Sequence, residues 1–262
     1  MSLDAWLSPE LVSPGRYRLN FPDGWLQGRG LFGGLLMGAM TRTLETFTPG
    51  RPLRSLTAEI FAPVAPGGSE LVLTTLREGS AVTTVSARLE QNGEVMAHGV
   101  GVLGKQRVTD RERTALDVPQ RKAWREVEVI PVEPPFGPDF ARFWEFRPTG
   151  FMPFSGGTEA RAEGWVRPHA GGAIRDAGFL AACSDAWWPT MFAIEEAPRP
   201  TATIAFTFQP FVNFEGLDSA APVFHRAHLA AASDGYCVEF RELWSESGRL
   251  LALNQQTFVI IK

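Results

Sequence analysis

The chain carries one pattern twice, and that repetition limits its fold more than any other feature. Residues 53–63 read LRSLTAEIFAP and residues 200–210 read PTATIAFTFQP. Both alternate like half-buried strands and end in Phe-x-Pro, at Phe61/Pro63 and Phe208/Pro210, an offset of 147. A helix rich in small residues precedes each strand. The first, FGGLLMGAMTRTLETF, places Leu36, Met40 and Leu44 on one face at i, i+4 spacing. The second, GFLAACSDAWWPT over residues 178–190, is expected to be capped by Asp176 and closed by Pro189. Hairpin material follows in both halves. In the first half it is ELVLTTLREG and then AVTTVSARLEQNGEVMAHGVGVL, where Asn-Gly suits a tight turn. In the second it is APVFHRAHLAAASDG and then YCVEFRELWSESGRLLALNQQTFVII, where ESGR matches, so Gly93 and Gly248 correspond at an offset of 155. Each half thus reads as a strand, a helix and four antiparallel strands. Glycines and alanines on the helix let a curved sheet wrap closely around it. The expected fold is a duplicated α+β unit, residues 1–107 and 141–262. Residues 108–140 are charged, then proline-rich and without sustained period, and are expected to form a linker over the surface.

The other signals mainly exclude. A net charge of −4 argues against a nucleic-acid partner, which calls for a basic face. Cys183 and Cys237 form no disulfide framework and suit a reducing compartment. The opening MSLDAWLSPE has no basic leader before an apolar core, and no apolar run reaches the ~18 residues of a membrane span, so a cytoplasmic location is expected. No Gly-x-Ser-x-Gly elbow or complete Walker motif is present. His225 and His228 stand three apart on a strand and so face opposite ways, which disfavours a metal pair. No metal or redox cofactor is expected.

One residue is out of character. Asp185 lies in the most apolar stretch of the second helix, near its C-terminal, negative end. Either it turns outward to water or something pairs with it or uses it. Burial and the helix end would both raise its pKa, as suits a group that takes a proton from water.

The segments WLQGRGLFGGLLMGAM, the strand ending FAP, the LREG turn and the C-terminal helix and strands resemble, in order and spacing, those of the TesB-like acyl-CoA thioesterases. The resemblance spans essentially the whole chain. It implies a double hotdog fold, two tandem units each with a curved antiparallel sheet around a central helix. It also implies hydrolysis of acyl-CoA to free acid and CoA. The family's catalytic positions fall on Asp185 in CSDAWWP, Thr203 in ATIAF and Gln256 in NQQTF. By that resemblance the three hold the attacking water, with Asp185 accepting its proton and the other two orienting it. A homodimer is implied as well. The chain departs from well-known members at Arg54, where a histidine is common, and at Trp187 and Trp188, where smaller residues are common. These aromatics would shape the acyl pocket.

The duplication supplies an internal comparison. Subtracting 147 takes Asp185 to Gly38 and Thr203 to Leu56, and subtracting 155 takes Gln256 to Gly101. All three polar positions answer to apolar or glycine positions, which favours one working site in the second half. On plain alternation Thr203 shares a face with Ala205 and Thr207. Gly33 and Gly34 open the first helix, where their amides could polarise the thioester carbonyl; alternatively they only let helix and sheet approach. Two rival functions stay open: an acyl-CoA or acyl-carrier binding protein without turnover, and an enoyl-CoA hydratase, which would need a histidine beside Asp185.

Overall fold

In the computed structural model, residues 1–108, 113–211, 214, 217–218 and 220–261 are described. A short helix α1 (Leu3–Leu7) leads to strands β1 (Glu10–Ser13) and β2 (Arg16–Phe21), then to a two-stranded ribbon of β3 (Leu26–Gln27) and β4 (Gly30–Leu31). Helix α2 (Gly33–Phe47) follows, and after it β5 (Leu53–Ile60), β6 (Gly67–Glu78), β7 (Val82–Gln91) and β8 (Glu94–Gly104). The second half runs β9 (Trp144–Pro148), β10 (Arg161–Pro168), α3 (Ala177–Ser184), β11 (Thr201–Pro210), β12 (Val223–Ser233), β13 (Tyr236–Trp244) and β14 (Leu250–Ile260). Two main strands precede each helix where one was expected, and four follow each helix as expected.

Twelve strands form one antiparallel sheet in the order β1-β2-β6-β7-β8-β5-β11-β14-β13-β12-β10-β9. Each half contributes six, in mirrored sequence, and the two meet where β5 pairs with β11, Ala58 opposite Phe206 and Leu56 opposite Phe208. This is the double hotdog arrangement. Alternation drives it: in β2 the buried residues are Tyr17, Leu19 and Phe21, and in β7 they are Thr83, Val85, Ala87, Leu89 and Gln91. The Asn-Gly turn after β7 has both residues at positive φ, Asn92 at 54° and Gly93 at 84°. That is the geometry of a type I′ hairpin.

Both helices are enclosed. Residues 34–44 of α2 and every residue of α3 are buried. Full burial of side chains such as Leu35, Leu36 and Met40 is worth about 1.5–3 kcal/mol each. The helices run antiparallel and cross at glycine. A Cβ built on Gly38 would lie 2.8 Å from the Gly178 carbonyl oxygen, and one on Gly178 would lie 2.8 Å from that of Gly38. On Gly34 it would lie 2.7 Å from the Ala182 carbonyl. The helix glycines therefore serve helix–helix approach, not the helix–sheet approach expected. The sheet carries its own glycines for that purpose: a Cβ on Gly99 would meet Met40 and one on Gly101 would meet Leu44.

Asp176 caps α3 as expected, its Oδ1 accepting from the Phe179 amide at 2.8 Å. It also anchors a buried ion cluster, since Arg42 of α2 donates to Asp176 (2.7 Å) and to Asp4 of α1 (3.1 Å). Helix α3 stops at Ser184, well short of Pro189, so the proline does not end it. A further difference lies in β11. Its ladder with β14 shifts between Thr203 and Ala205, a bulge that re-aims the strand. Thr203 therefore lies on the inner face with Phe206 and Phe208, not with Ala205 and Thr207. The repeat also fails residue by residue: Phe208 is buried within β11, whereas Phe61 follows the end of β5 and is exposed.

Residues 113–140 include a 3-10 turn at Trp124–Glu126 and a single bridge from Ile130 to Phe146. Val127 and Trp124 pack on Trp165, Phe224 and Trp244, and the Trp165 indole donates to the Lys122 carbonyl at 3.0 Å. Among the described residues no helix is long and apolar enough to cross a membrane.

Candidate functional site

Asp185 is the residue that follows α3, with φ −104° and ψ −1°, and only 6% of its surface is exposed. The solvent-facing reading is thereby removed. Its Oδ1 accepts from Gln256 Nε2 at 2.8 Å and faces Arg241 Nη1 at 3.3 Å. Its Oδ2 lies against the start of α2, where a Cβ on Gly33 would stand 2.8 Å away. The Gly34 amide favours the ionised form from the same side. The first half thus supplies one wall of the site through a helix N-terminus, whose amides lack helical partners.

Thr203 and Gln256 join the same chain. Gln256 is fully buried on the inner face of β14, opposite Phe206, and its Oε1 accepts from Thr203 Oγ1 at 3.1 Å. The bulge in β11 makes this contact possible by turning Thr203 inward. Gln256 Nε2 also donates to Asn254 Oδ1 at 3.1 Å, and Asn254 Nδ2 donates to the Thr207 carbonyl at 2.7 Å. A carbonyl can only accept, so Thr207 fixes which way Asn254 points, and Asn254 in turn fixes Gln256. Both protons of the Gln256 amide are then committed. What remains is acceptor capacity: a second lone pair on Gln256 Oε1, lone pairs on Thr203 Oγ1, and Asp185 Oδ2. A water can donate to two of these acceptors at once, so Asp185 with either of the other two suits a water that is held and deprotonated.

Beneath Asp185 lies a charged layer that the sequence reading did not single out. Arg241 donates to the Ser184 carbonyl at 2.8 Å, and its Nε donates to Glu239 Oε1 at 2.5 Å. Glu239 is fully buried, and its Oε2 accepts from the Thr190 amide (2.9 Å) and hydroxyl (2.8 Å). The signal was present in YCVEFRELW: alternation puts Glu239 and Arg241 on the face of Cys237 and Leu243, where charges must be paired. Burial raises the Asp185 pKa, and Arg241, Gln256 and the Gly34 amide oppose that effect without cancelling it. His225 is buried on β12 with its ring stacked on Trp187 at 5.6 Å. Burial first, and the Arg241 charge second, push its pKa well down, so it stays neutral. Neither ring nitrogen makes a well-formed hydrogen bond; the Ala162 and Ser184 carbonyls are its neighbours. His228 lies on the opposite, exposed face of β12.

The two tryptophans part company. Trp187 is 2% exposed and packs on Phe146, Trp188 and His225, with its ring filling the space over Gly164. Trp188 is half-buried. Arg54 lies away from this cluster, donating to the Gly104 carbonyl at 3.0 and 3.1 Å. The corresponding inner-face positions of the first half, Leu56 opposite Gly101, are closed by Leu44. Among the described residues no group of three or more His, Cys, Asp or Glu side chains could hold a metal ion.

Residues 21–104 match the family model of the acyl-CoA thioesterase N-terminal domain, and residues 113–260 match that of the acyl-CoA thioesterase C-terminal domain. Among solved structures, a protein of unknown function with a hot dog fold from Alicyclobacillus acidocaldarius is similar. It has 20% identity and a TM-score of 0.89, over 99% of this chain and 98% of that one. A candidate thioesterase II from Thermobifida fusca gives 22% and 0.85, over 99% and 97%. The acyl-CoA thioesterase II TesB2 of Mycobacterium marinum gives 15% and 0.76, over 99% and 98%. At these identities the structural likeness speaks for the fold. No curated protein matches the chain.

Proposed function

The chain belongs to the acyl-CoA thioesterase family, whose N- and C-terminal domain models it matches in order, and on that premise we propose that it hydrolyses acyl-CoA with a water held by Asp185, Thr203 and Gln256. The observation that carries this reading is the hydrogen-bond chain from Thr203 through Gln256 to Asp185, buried where the two halves meet. Asp185 takes a proton from the water as its oxygen adds to the thioester carbonyl carbon. Collapse of the tetrahedral intermediate expels the CoA thiolate, which takes the proton held by Asp185 and so restores the carboxylate, and releases the free acid. The water's second proton is donated to Thr203 Oγ1 or Gln256 Oε1, which fixes its approach and leaves an oxygen lone pair free to attack. The Gly34 amide is turned to Asp185, and the role of stabilising the carbonyl oxygen is assigned in this reading to the neighbouring Gly33 amide.

Trp187 and Trp188 follow Asp185 directly, and in this reading they bound the acyl pocket. The domain boundaries at residues 107 and 141, a homodimer and a cytoplasmic setting are parts of the same proposal. The two buried, free cysteines support a reducing setting. Light scattering on the purified protein decides the oligomeric state.

The function itself is tested by thiol release from a panel of acyl-CoAs of increasing chain length, saturated and unsaturated. Thiol release from at least one chain length is expected. An unsaturated acyl-CoA that gains water with no thiol released would establish the hydratase instead. Tight acyl-CoA binding without any turnover would establish the binding protein.

A further inference from the structure

The groups behind Asp185 have a role of their own in the reaction. Arg241 is 3% exposed and makes three kinds of contact: to Asp185 Oδ1, to the Ser184 carbonyl, and to Glu239 through both Nε and Nη2. Glu239 is locked in turn by Thr190, which stands beyond Pro189 at the end of the loop that carries the two tryptophans. The Ser184 carbonyl is one of the last of α3, where an arginine offsets the negative end of the helix. A single guanidinium therefore bridges the base, the helix end beneath it and a buried counter-charge. None of these contacts is needed for the strand pairing of β13, which its backbone makes with β12 and β14. Nor is a buried charge pair an economical way to stabilise a core: apolar residues of similar volume often do as well or better. The cost calls for another reason.

We propose that Arg241 is a positioning residue for the hydrolysis, holding Asp185 ionised and in one orientation, and that Glu239 sets the strength of that hold by sharing the guanidinium. The proposal rests on Asp185 being the base. The charged and titratable groups around Asp185 among the described residues are few. Arg241 and Glu239 come from β13, and His225 comes from β12 and is neutral. Cys183, on α3 itself, is held as the thiol because burial pushes its pKa up. Strands β11 and β14 and the start of α2 present Thr203, Asn254, Gln256, Gly33 and Gly34, all uncharged. The layer therefore carries two negative groups and one positive one, and removing either kind of charge moves Asp185 in an opposite direction.

The experiment is the pH profile of kcat/KM for thiol release, measured on wild type, Arg241→Gln, Arg241→Lys and Glu239→Gln, with thermal unfolding as the check on folding. Arg241→Gln removes the charge that favours the carboxylate, so the acid limb is expected to move up by about one pH unit or more, with activity recovering at high pH. Glu239→Gln removes a neighbouring negative charge and is expected to move the same limb down. Arg241→Lys keeps the charge, so its limb stays near that of wild type while kcat falls from loosened geometry. A merely structural Arg241 would lower activity equally at all pH values, and that result, or a Glu239→Gln limb that moves up or stays put, overturns the proposal. If Arg241→Gln does not fold, the sign of the Glu239→Gln shift decides alone. Full activity in Asp185→Asn overturns the reading of the base itself, whereas an inactive Asp185→Asn beside unmoved limbs overturns only the role of Arg241.

Discussion

Asp185 combines two properties that rarely coincide, near-complete enclosure and, in the proposed hydrolysis, a required negative charge. Its carboxyl is held above the ordinary range because burial outweighs the groups that favour ionisation. The native state therefore keeps its proton more tightly than the unfolded chain does. The stability this contributes is complete below the ordinary carboxylate pKa and is lost as pH rises through the raised value. Asp185→Asn is thus expected to unfold at a temperature equal to or above that of wild type at pH 7–8, while losing activity, as read by calorimetry beside a thiol assay. Thr203→Val tests the next link. It strands Gln256 Oε1 without its donor, and kcat/KM should fall by about tenfold or more with little change in KM. Sequence made Asp185 visible as a charge out of place, but it could not orient Thr203, because nothing in ATIAF announces the bulge that turns it inward. Arg241 and Glu239 were legible in principle as two charges on the inner face of one strand. They were missed because a strand of alternating charge and bulk also suits an exposed edge.

At the scale of elements, the helices and the hairpin turns followed from local chemistry: Asp176 caps α3, and Asn92-Gly93 makes its turn. Their mutual placement did not, because it depends on which surfaces the small residues leave open. Gly38 and Gly178 face each other's carbonyls where α2 and α3 cross, a contact between residues far apart in sequence. A methyl at either place forces the helices apart. Gly38→Ala and Gly178→Ala should each cost about 1–3 kcal/mol in denaturant unfolding, and activity should fall because the start of α2 would shift against Asp185. Asp176→Ala removes both a cap and a partner of buried Arg42, and should cost about 2–4 kcal/mol. Unchanged stability in any of these three would contradict the packing described.

At the scale of the molecule, duplication set the architecture and asymmetry set the chemistry. Both halves contribute six strands to the main sheet and one enclosed helix, yet one inner face is filled by Leu56, Gly101 and Leu44 while the other carries the polar chain from Thr203 to Asp185. The repeat was readable because strand alternation and helix composition survive divergence. Residue-level offsets were not, since one bulge shifts every inner-face position beyond it, as Phe61 and Phe208 demonstrate. The site draws the start of α2 from one half and everything else from the other. Residues 141–262 expressed alone should therefore be inactive in the thiol assay, and activity there would contradict a site shared between halves. The central claim, that Asp185 is the base for hydrolysis, is tested most directly by kcat/KM for thiol release in Asp185→Asn beside wild type, on the best acyl-CoA found. A loss of about a hundredfold or more in a variant that unfolds no earlier than wild type is the expected result; undiminished thiol release would contradict it.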